Sequence, residues 1–236
     1  MDTSVAEWFS LQTVPQTGAK CTASLILLHG SKSTGERLRN SIKTALGEEL
    51  TFSHIRILYP TAPLRAYTQA NGEPSHVWFD RLTISLAGTD HEESVDTMAT
   101  KLGQLIDAEV KSGIPLHRIV IGGYSMGGTM ALHLGYRFYP QVTGVLVMGN
   151  FLYSDSCLYT ALEKRDTSSI RLPPLKMFHA EQDQIVPLTW GKVTFNKLTS
   201  LGVKGDFVIL SNQGHSMNTP LADSARNWIA NILPRE

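Results

Sequence analysis

The sequence is poor in the features that mark several large classes of protein. Its 236 residues include only two cysteines, Cys21 and Cys157, and its formal net charge is zero. A pair of cysteines cannot build a disulfide framework and fits a reducing compartment, so we expect a cytoplasmic protein. Nucleic-acid binders normally carry a basic excess or stripe, so we expect no nucleic-acid partner.

Long apolar runs and nucleotide-binding loops are absent as well. The apolar runs at residues 25–28 and 145–148 are far too short to cross a bilayer, which takes about 20 residues of helix. Residues 1–16 have no basic start and no long apolar stretch, so we expect neither a secretory signal nor a transmembrane segment. The sequence motifs of the glycine-rich loops that bind dinucleotides or nucleotide phosphates do not occur in the chain.

Metal-ligand spacing is missing too. Six histidines show no pattern such as His-x-x-x-His beside a carboxylate: His54, His76, His91, His117, His133 and His179. We therefore expect no metal site. Neither cysteine lies in a motif that would activate its thiol, and we expect both to serve ordinary packing.

What the chain does contain is an alternation of apolar runs and amphipathic segments. Continuous apolar runs at residues 23–29, 119–121 and 142–148 predict strands that are buried on both faces, as in a parallel sheet. Helical spacing at residues 94–112, followed by Gly113, predicts one of the intervening helices. This alternation predicts an α/β fold with a mostly parallel central sheet and helices on both faces.

No linker or repeat divides the chain, so we predict one domain over residues 21–236, preceded by an N-terminal arm at residues 1–20 with at most a first edge strand. Pro60 should end the strand that begins at residue 55. Two long irregular segments are expected, at residues 64–90 and 151–174. Loops of this length in compact domains are usually functional.

The most informative stretch is Gly123-Tyr124-Ser125-Met126-Gly127. It follows a β-branched run and precedes a helix-like segment, which is the context of a nucleophile elbow. In that turn the serine hydroxyl stands above the sheet edge, and the two glycines provide backbone room and φ freedom. The pattern alone also fits an ordinary glycine-rich turn with a chance serine, so the reading depends on an acid and a histidine further along the chain.

Such residues follow in order. Asp183 and His215 lie, like Ser125, just past the ends of predicted strands, where ligands bind in open α/β sheets. The order serine, acid, histidine is that of the α/β-hydrolase fold. His215 would act as the base for Ser125, and Asp183 would fix the histidine tautomer. Glu181 and Asp206 remain open as alternative acids.

The glycine-bearing loop after the first buried strand is expected to complete the site. An esterase places there one backbone N–H of its oxyanion hole, and the other comes from the residue after the nucleophile. We predict the amides of Ser31 and Met126 for these two roles. His29, at the end of the strand, could be catalytic, although a structural role is the expected one.

An aromatic pair, Trp78 and Phe79, lies in the long segment at residues 64–90. We consider these two residues candidates for substrate binding, since aromatic side chains in such a loop can shape an acyl pocket. Packing of the loop onto the core is an equally good explanation of the pair.

Nearly the whole chain resembles the family of acyl-protein thioesterases and lysophospholipase-like carboxylesterases. The matching stretches are Leu28-His29-Gly30, Tyr59-Pro60-Thr61-Ala62-Pro63, Trp78-Phe79-Asp80, Leu105-Ile106-Asp107, Glu109-Val110, Gly113-Ile114-Pro115, Gly122-Gly123-Tyr124-Ser125, Asp183 with Val186-Pro187, and Gly214-His215-Ser216. The resemblance implies a cytosolic serine hydrolase without cofactor. It also implies a triad at the positions of Ser125, Asp183 and His215, and an oxyanion hole at those of Ser31 and Met126.

Two departures from the main family pattern indicate a divergent, lysophospholipase-like branch. The first loop has Ser31-Lys32-Ser33 instead of Leu-Gly-Asp, and Met126 stands where the thioesterases proper have Gln. For this branch the resemblance implies a shallower site and short acyl chains. The substrates it implies are small acyl esters or thioesters, and S-acylated proteins are further candidates.

Two other functions stay open on the sequence. One is a long-chain protein depalmitoylase or lysophospholipase, which would need an apolar groove formed by residues 64–90 and 151–174. The other is a non-catalytic module that binds an acyl ligand on the same fold. An intact triad argues against the second, because a binding module does not need all three groups.

Overall fold

The computed structural model describes residues 9–166 and 171–236. Residues 1–8 of the expected N-terminal arm and residues 167–170 of the second long segment lie outside this described part. The strands within it are β1 (Ser10–Val14), β2 (Ala23–Leu28), β3 (Ile55–Thr61), β4 (Leu64–Ala66), β5 (Pro74–His76), β6 (Ile119–Tyr124), β7 (Gly144–Met148), β8 (Leu175–Ala180) and β9 (Gly205–Leu210).

The central sheet has the strand order β1-β3-β2-β6-β7-β8-β9. All neighbouring pairs are parallel except β1 and β3, so one antiparallel strand lies at an edge of a parallel sheet. The carboxyl ends of β2, β6, β7, β8 and β9 therefore lie along the same side of the sheet. The predicted fold class, a mostly parallel sheet of the α/β-hydrolase type, is confirmed.

Helices cover both faces of this sheet. They are α1 (Gly35–Leu46), α2 (Glu92–Lys111), α3 (Met126–His133), α4 (Cys157–Lys164), α5 (Leu188–Ser200) and α6 (Thr219–Ile232). The apolar residues of α1 and α6 belong to one buried cluster, and those of α2, α3, α4 and α5 belong to a larger one.

Alternation along the strands separates these two clusters. In β2, Leu25 and Leu27 pack toward α1 and α6, whereas Ile26 and Leu28 pack toward α2 and α3. Successive side chains of a strand point to opposite faces, so a run that is apolar at every position supplies both sides. This is why the continuous apolar runs correctly predicted central strands.

Helix α1 illustrates how local signals and burial combine. The Thr34 side chain caps its first turn by accepting from the Arg37 amide at 3.1 Å, and Gly47 ends it with a φ of 74°. Leu38 and Ile42 are each 4% exposed. Burying each of these side chains stabilises the fold by about 1.5–3 kcal/mol.

Three expectations about element bounds were wrong. Pro60 does not end its strand, because β3 continues to Thr61. Pairing with β2 stops at Leu58, and Pro60 lies opposite Leu11 of the antiparallel edge strand, so its missing N–H costs no hydrogen bond on the β2 side. The segment at residues 64–90 is not wholly irregular, since it contains the antiparallel pair β4 and β5. The segment at residues 151–174 is also not wholly irregular, since it contains α4, whose N-cap is Ser156.

Candidate active site

Ser125 lies at the sharp turn between β6 and α3. Its backbone has a φ of 53° and a ψ of −121°, a conformation that costs a residue with a side chain about 1–3 kcal/mol. Its amide donates to the Met148 carbonyl at 2.8 Å, which ties the turn to the end of β7.

The two glycines of the motif are required by close approach. A Cβ at Gly123 would lie 2.1 Å from the Gly127 backbone, and one at Gly127 would lie 2.1 Å from the Leu28 carbonyl oxygen. Neither glycine has a positive φ. The two glycines therefore provide the backbone room that was predicted. The positive φ that was expected of them is found at Ser125 instead.

Asp183 and His215 are brought together at the ends of β8 and β9. His215 Nδ1 lies 2.6 Å from Asp183 Oδ2, and the Asp183 side chain is 1% exposed. The other carboxylate oxygen of Asp183 accepts from the amides of Ile185 and Val186 at 2.9 and 2.8 Å. The carboxylate is therefore fixed in orientation, and it can accept the Nδ1 proton of the imidazole.

The electrostatics of Asp183 agree with a charged carboxylate. Burial alone would raise the pKa of Asp183, but the hydrogen bonds from His215 and from the amides of Val186 and Ile185 outweigh it and leave that pKa below its ordinary value. The ionised form of Asp183 is thus the one that the site stabilises, as required of a group that supports an imidazolium.

The alternative acids are engaged elsewhere. Glu181 accepts from the Asn212 amide at 3.2 Å. Asp206 is an exposed residue at the start of β9, and it pairs with Lys176 at 3.0 Å. These contacts favour Asp183 over both as the partner of His215.

The loop after β2 passes directly beside the nucleophile candidate. A Cβ at Gly30 would lie 3.3 Å from the Cβ of Ser125, so Gly30 permits this close approach. Ser31, the residue expected to offer an oxyanion amide, lines the same cleft as Ser125. Lys32 follows with a φ of 58°, and its amide donates to the His76 carbonyl at 3.0 Å.

His29 holds this loop from inside the protein. The Ala62 amide donates to its Nε2 at 3.0 Å, so the proton of the neutral ring is on Nδ1, which lies 2.7 Å from the Gly30 carbonyl oxygen. Burial lowers the pKa of His29 to about 4. The ring is therefore neutral at physiological pH, and these contacts favour the structural role over the catalytic one.

Trp78 and Phe79 do not line the cleft. Their side chains are 0% and 1% exposed and belong to the larger apolar cluster, so the expectation that they bind substrate is corrected to core packing. The Trp78 indole donates to the His29 carbonyl at 2.7 Å. Trp78 therefore supports the loop that carries Ser31 and does not itself line the cleft.

The cleft above the strand ends has a volume of about 760 Å³. Ser31, Tyr124, Ser125 and His215 line it, and α1 adds a polar wall formed by Arg37, Asn40, Ser41 and Thr44. Its more apolar lining comes from Leu38, Ile185 and Met217. The arrangement offers a serine hydroxyl, a carboxylate-bound imidazole and backbone amides within one open site.

Sequence reasoning missed several residues that lie around His215 or line the cleft. A Cβ at Gly149, which has a φ of 58°, would lie 3.3 Å from His215 Cε1, and the Tyr124 ring lies 5.1 Å from the His215 ring, centroid to centroid. The position of Tyr124 just before the nucleophile was a usable signal. Nothing local marks Gly149 or the polar positions of α1.

Outside the cleft lies a second group of side chains with metal-binding atoms. Its members are Asp90, His133 and Cys157. Burial, followed by the charge of Asp90, raises the pKa of the Cys157 thiol to about 12. As it stands, this thiol is not a nucleophile.

Within the described residues, no helix is long and apolar enough to pass through a membrane.

The fold and this cleft define an α/β-hydrolase-type serine hydrolase. Comparison with known proteins specifies the family. The model of the phospholipase/carboxylesterase family matches residues 9–233, and the chain belongs to that family. It is thus a serine hydrolase that acts on acyl esters or thioesters.

Curated relatives agree with this assignment. The chain is 47% identical to lysophospholipase-like protein 1 of Mus musculus over 215 residues, covering 91% of this chain and 89% of the relative. It is 32% identical to acyl-protein thioesterase 1 homolog 1 of Dictyostelium discoideum, covering 77% of this chain and 79% of the relative.

Solved structures share the fold. The crystal structure of Zea mays acyl-protein thioesterase 2 superimposes with a TM-score of 0.80 at 23% identity, covering 95% of this chain and 99% of that one. The structure of Arabidopsis thaliana SOBER1 gives a TM-score of 0.78 at 23% identity, over 92% of this chain and all of the other.

Proposed function

We propose that this protein hydrolyses carboxylic esters and thioesters of short acyl chains through an acyl intermediate on Ser125. The observation that carries the proposal is the 2.6 Å contact between His215 and a buried Asp183 in the cleft that holds Ser125. A serine hydroxyl is weakly nucleophilic at neutral pH, so it needs such a base.

In the proposed reaction, His215 accepts the Ser125 proton as Oγ attacks the acyl carbon. Asp183 keeps the Nδ1 proton in place and stabilises the imidazolium. The imidazolium then gives its proton to the departing alcohol or thiol, and the acyl group stays on Ser125. Water, deprotonated by His215, attacks this intermediate and releases the carboxylic acid and the free serine.

The negative charge on the acyl oxygen needs donors in the transition state. We assign this role to the amides of Ser31 and Met126. Met126 is the first residue of α3, whose N-terminus carries partial positive charge, and Ser31 follows the Gly30 position that touches Ser125. Removal of one such donor typically lowers kcat by about 10²–10³-fold.

The lining of the cleft supports short acyl chains. Leu38, Ile185 and Met217 supply apolar side chains, whereas the α1 wall contributes Arg37 and Asn40. A buried methylene gains about 0.8 kcal/mol, or roughly fourfold in kcat/KM, and this gain stops where the apolar lining ends. A long acyl chain would have to extend along polar side chains or into water.

A long-chain activity is the second candidate, because relatives carry the names acyl-protein thioesterase and lysophospholipase-like protein. S-acylated proteins or lysophospholipids would then be substrates. The polar α1 wall favours the short-chain candidate.

The expectation of a cytoplasmic protein depends on the sparse cysteines, both of which are free thiols, and it stays a prediction.

The test is the dependence of kcat/KM on acyl length, measured on p-nitrophenyl esters and matching thioesters from acetyl to palmitoyl. We expect a maximum at short chains. Ser125→Ala should abolish turnover by about 10⁶-fold, as nucleophile removal does in subtilisin, without loss of thermal stability. Ser200→Ala, at the exposed end of α5, is the matched control and should keep full activity.

A steady rise toward palmitoyl, lost in Ser125→Ala, would replace the short-chain proposal with the long-chain one. Turnover that survives Ser125→Ala at any chain length would contradict the assigned nucleophile.

A further inference from the structure

Three side chains with metal-binding atoms meet on the face of the sheet covered by α2, α3 and α4. Asp90 precedes α2, His133 is the last residue of α3, and Cys157 is the first residue of α4. One ligand atom from each lies within 4.8 Å of the other two. The three elements are distant in sequence, so this grouping is a product of the fold.

His133 is the unusual member of the group. Its side chain is 0% exposed, and its Nε2 has no hydrogen-bond partner within the described residues. The nearest carboxylate oxygen, Asp90 Oδ2, is 3.9 Å away, which is too far for a hydrogen bond. A buried polar atom without a partner costs about 1–3 kcal/mol and calls for an explanation.

The backbone is also unusual at this point. Helix α3 ends at His133 and continues directly into a π-helical turn, Leu134–Phe138. Such widened turns are rare, and they occur frequently at functional sites. The change of helix type therefore coincides with the residue whose ring nitrogen is unpartnered.

The carboxylate of Asp90 is held in a fixed orientation. Its Oδ2 accepts from the Ser156 hydroxyl at 2.6 Å and from the Cys157 amide at 2.9 Å. Outer contacts of this kind orient a ligating carboxylate in metal sites. They also place Asp90 beside the first turn of α4, where the Cys157 side chain begins.

An open cavity of about 430 Å³ reaches Asp90 and Cys157 from the surface, and the buried His133 ring lies behind them. Asp90 and Cys157 line it, and so do the carboxylates of Glu92 and Asp155. Two cationic side chains, Arg137 and Lys164, line it too, and Arg137 is paired with Asp96 at 2.8 Å and Glu92 at 3.2 Å. A cation can enter through this cavity, and water in it can complete a coordination shell.

We propose that Asp90, His133 and Cys157 bind a divalent transition metal, with Zn²⁺ as the best match. One carboxylate oxygen, one imidazole nitrogen and one thiolate suit the donor preferences of Zn²⁺, and water from the cavity supplies the fourth position of a tetrahedron. The metal displaces the proton of the Cys157 thiol, which leaves to solvent through the cavity. Zn–ligand distances of about 2.0–2.3 Å require only a modest inward movement of the three side chains.

One contact has to change on binding. Arg137 Nη1 lies 3.3 Å from His133 Nδ1, and a metal on Nε2 leaves the ring proton on Nδ1, facing that guanidinium. Arg137 can withdraw, because its ion pairs with Asp96 and Glu92 remain available as anchors. The metal would then connect the start of α2, the end of α3 and the start of α4.

This site is separate from the catalytic cleft, because no residue lines both cavities. The bound metal is therefore a structural element of the helical layer. Its existence does not depend on the reaction assigned to Ser125, and the Ser125→Ala variant should bind the metal as the wild type does.

The test is titration of the chelator-treated full chain with Co²⁺, which reports thiolate ligation through a near-ultraviolet charge-transfer absorption. We expect one equivalent to bind with this absorption. Cys157→Ser should abolish the absorption, and Cys21→Ser is the matched control that should retain it. Asp90→Asn should weaken binding more than tenfold while circular dichroism shows an intact fold.

Zn²⁺ should also raise the melting temperature by a few degrees, reversibly on chelation, since a ligand that binds only the native state stabilises it. Absence of stoichiometric Co²⁺ binding would overturn the proposal, as would a charge-transfer band that persists in Cys157→Ser. If that variant does not fold, unchanged affinity in Asp90→Asn would overturn it as well.

Discussion

Two histidines, His215 in the cleft with Ser125 and His29 beneath the loop after β2, have contrasting surroundings. His215 Nδ1 lies 2.6 Å from the buried carboxylate of Asp183, which can accept the Nδ1 proton. His29 is buried, bonded only to backbone groups, and its pKa is lowered to about 4. Both residues follow strands at the same edge of the sheet, so the difference lies in their partners: a carboxylate for the proposed base His215, and backbone groups for His29.

The largest effect is expected when the Asp183 carboxylate beside His215 is replaced. Asp183→Asn should lower kcat by about 10⁴-fold, as in serine proteases, because an amide no longer enforces the required tautomer of His215. Steady-state kinetics on the best p-nitrophenyl ester measures this effect.

Asp206→Asn is the matched control for that substitution, since Asp206 is an exposed acid paired with Lys176. It should leave kcat unchanged. A small loss in Asp183→Asn together with a large one in Asp206→Asn, or in Glu181→Gln, would move the acid to one of these positions.

The second histidine should act on stability through protonation. The unfolded chain binds a proton at His29 near pH 6.5, but the folded chain does so only near pH 4, so stability is lost as the pH falls through this window. Between pH 7 and pH 5 this one residue should contribute a loss of about 2 kcal/mol.

Urea unfolding at both pH values, for the wild type and for His29→Gln, measures that contribution. Glutamine offers one acceptor and one donor in place of the two ring nitrogens, and it does not titrate. The variant should therefore lose about 2 kcal/mol less than the wild type on acidification. Parallel losses in the two proteins would contradict the neutral, buried state of His29.

The smallest expected effect concerns the room that His215 needs. Gly149→Ala places a methyl group 3.3 Å from His215 Cε1 at a φ of 58°. It should cost about 1–2 kcal/mol of stability through backbone strain and lower kcat roughly tenfold by displacing the ring.

Gly47→Ala separates these two contributions. Gly47 has a φ of 74°, and a Cβ there would meet nothing within 4 Å. This variant should share the loss of stability, seen as a lower melting temperature, and keep full kcat. Equal kcat values for the two variants would show that Gly149 is not needed for the position of the ring.

Much of the fold was predictable from the sequence, because its signals are local. Apolar runs such as residues 119–121 fall in buried strands, and the glycines around Ser125 mark a turn between strand and helix. The convergence of Ser125, Asp183 and His215 was also predictable, since residues that follow parallel strands meet at one sheet edge.

The remaining features depend on which elements become neighbours, and no local pattern contains that information. Trp78 looked like a candidate for substrate binding, but it packs into the core and supports the loop after β2. The polar wall that α1 contributes to the cleft follows from the position of this helix. The group formed by Asp90, His133 and Cys157 is invisible to spacing rules, since its members come from three separate elements.

The backbone of Ser125 offers a practical route to trapped complexes. A glycine at this position adopts a φ of 53° without steric penalty, so Ser125→Gly removes the proposed nucleophile and relieves the turn together. Such a variant should be inert and more heat-resistant than the natural enzyme. It would suit crystallography with intact substrates, because it does not turn them over. The strained backbone of Ser125 is thus a loss of stability that the natural chain keeps for the sake of its activity.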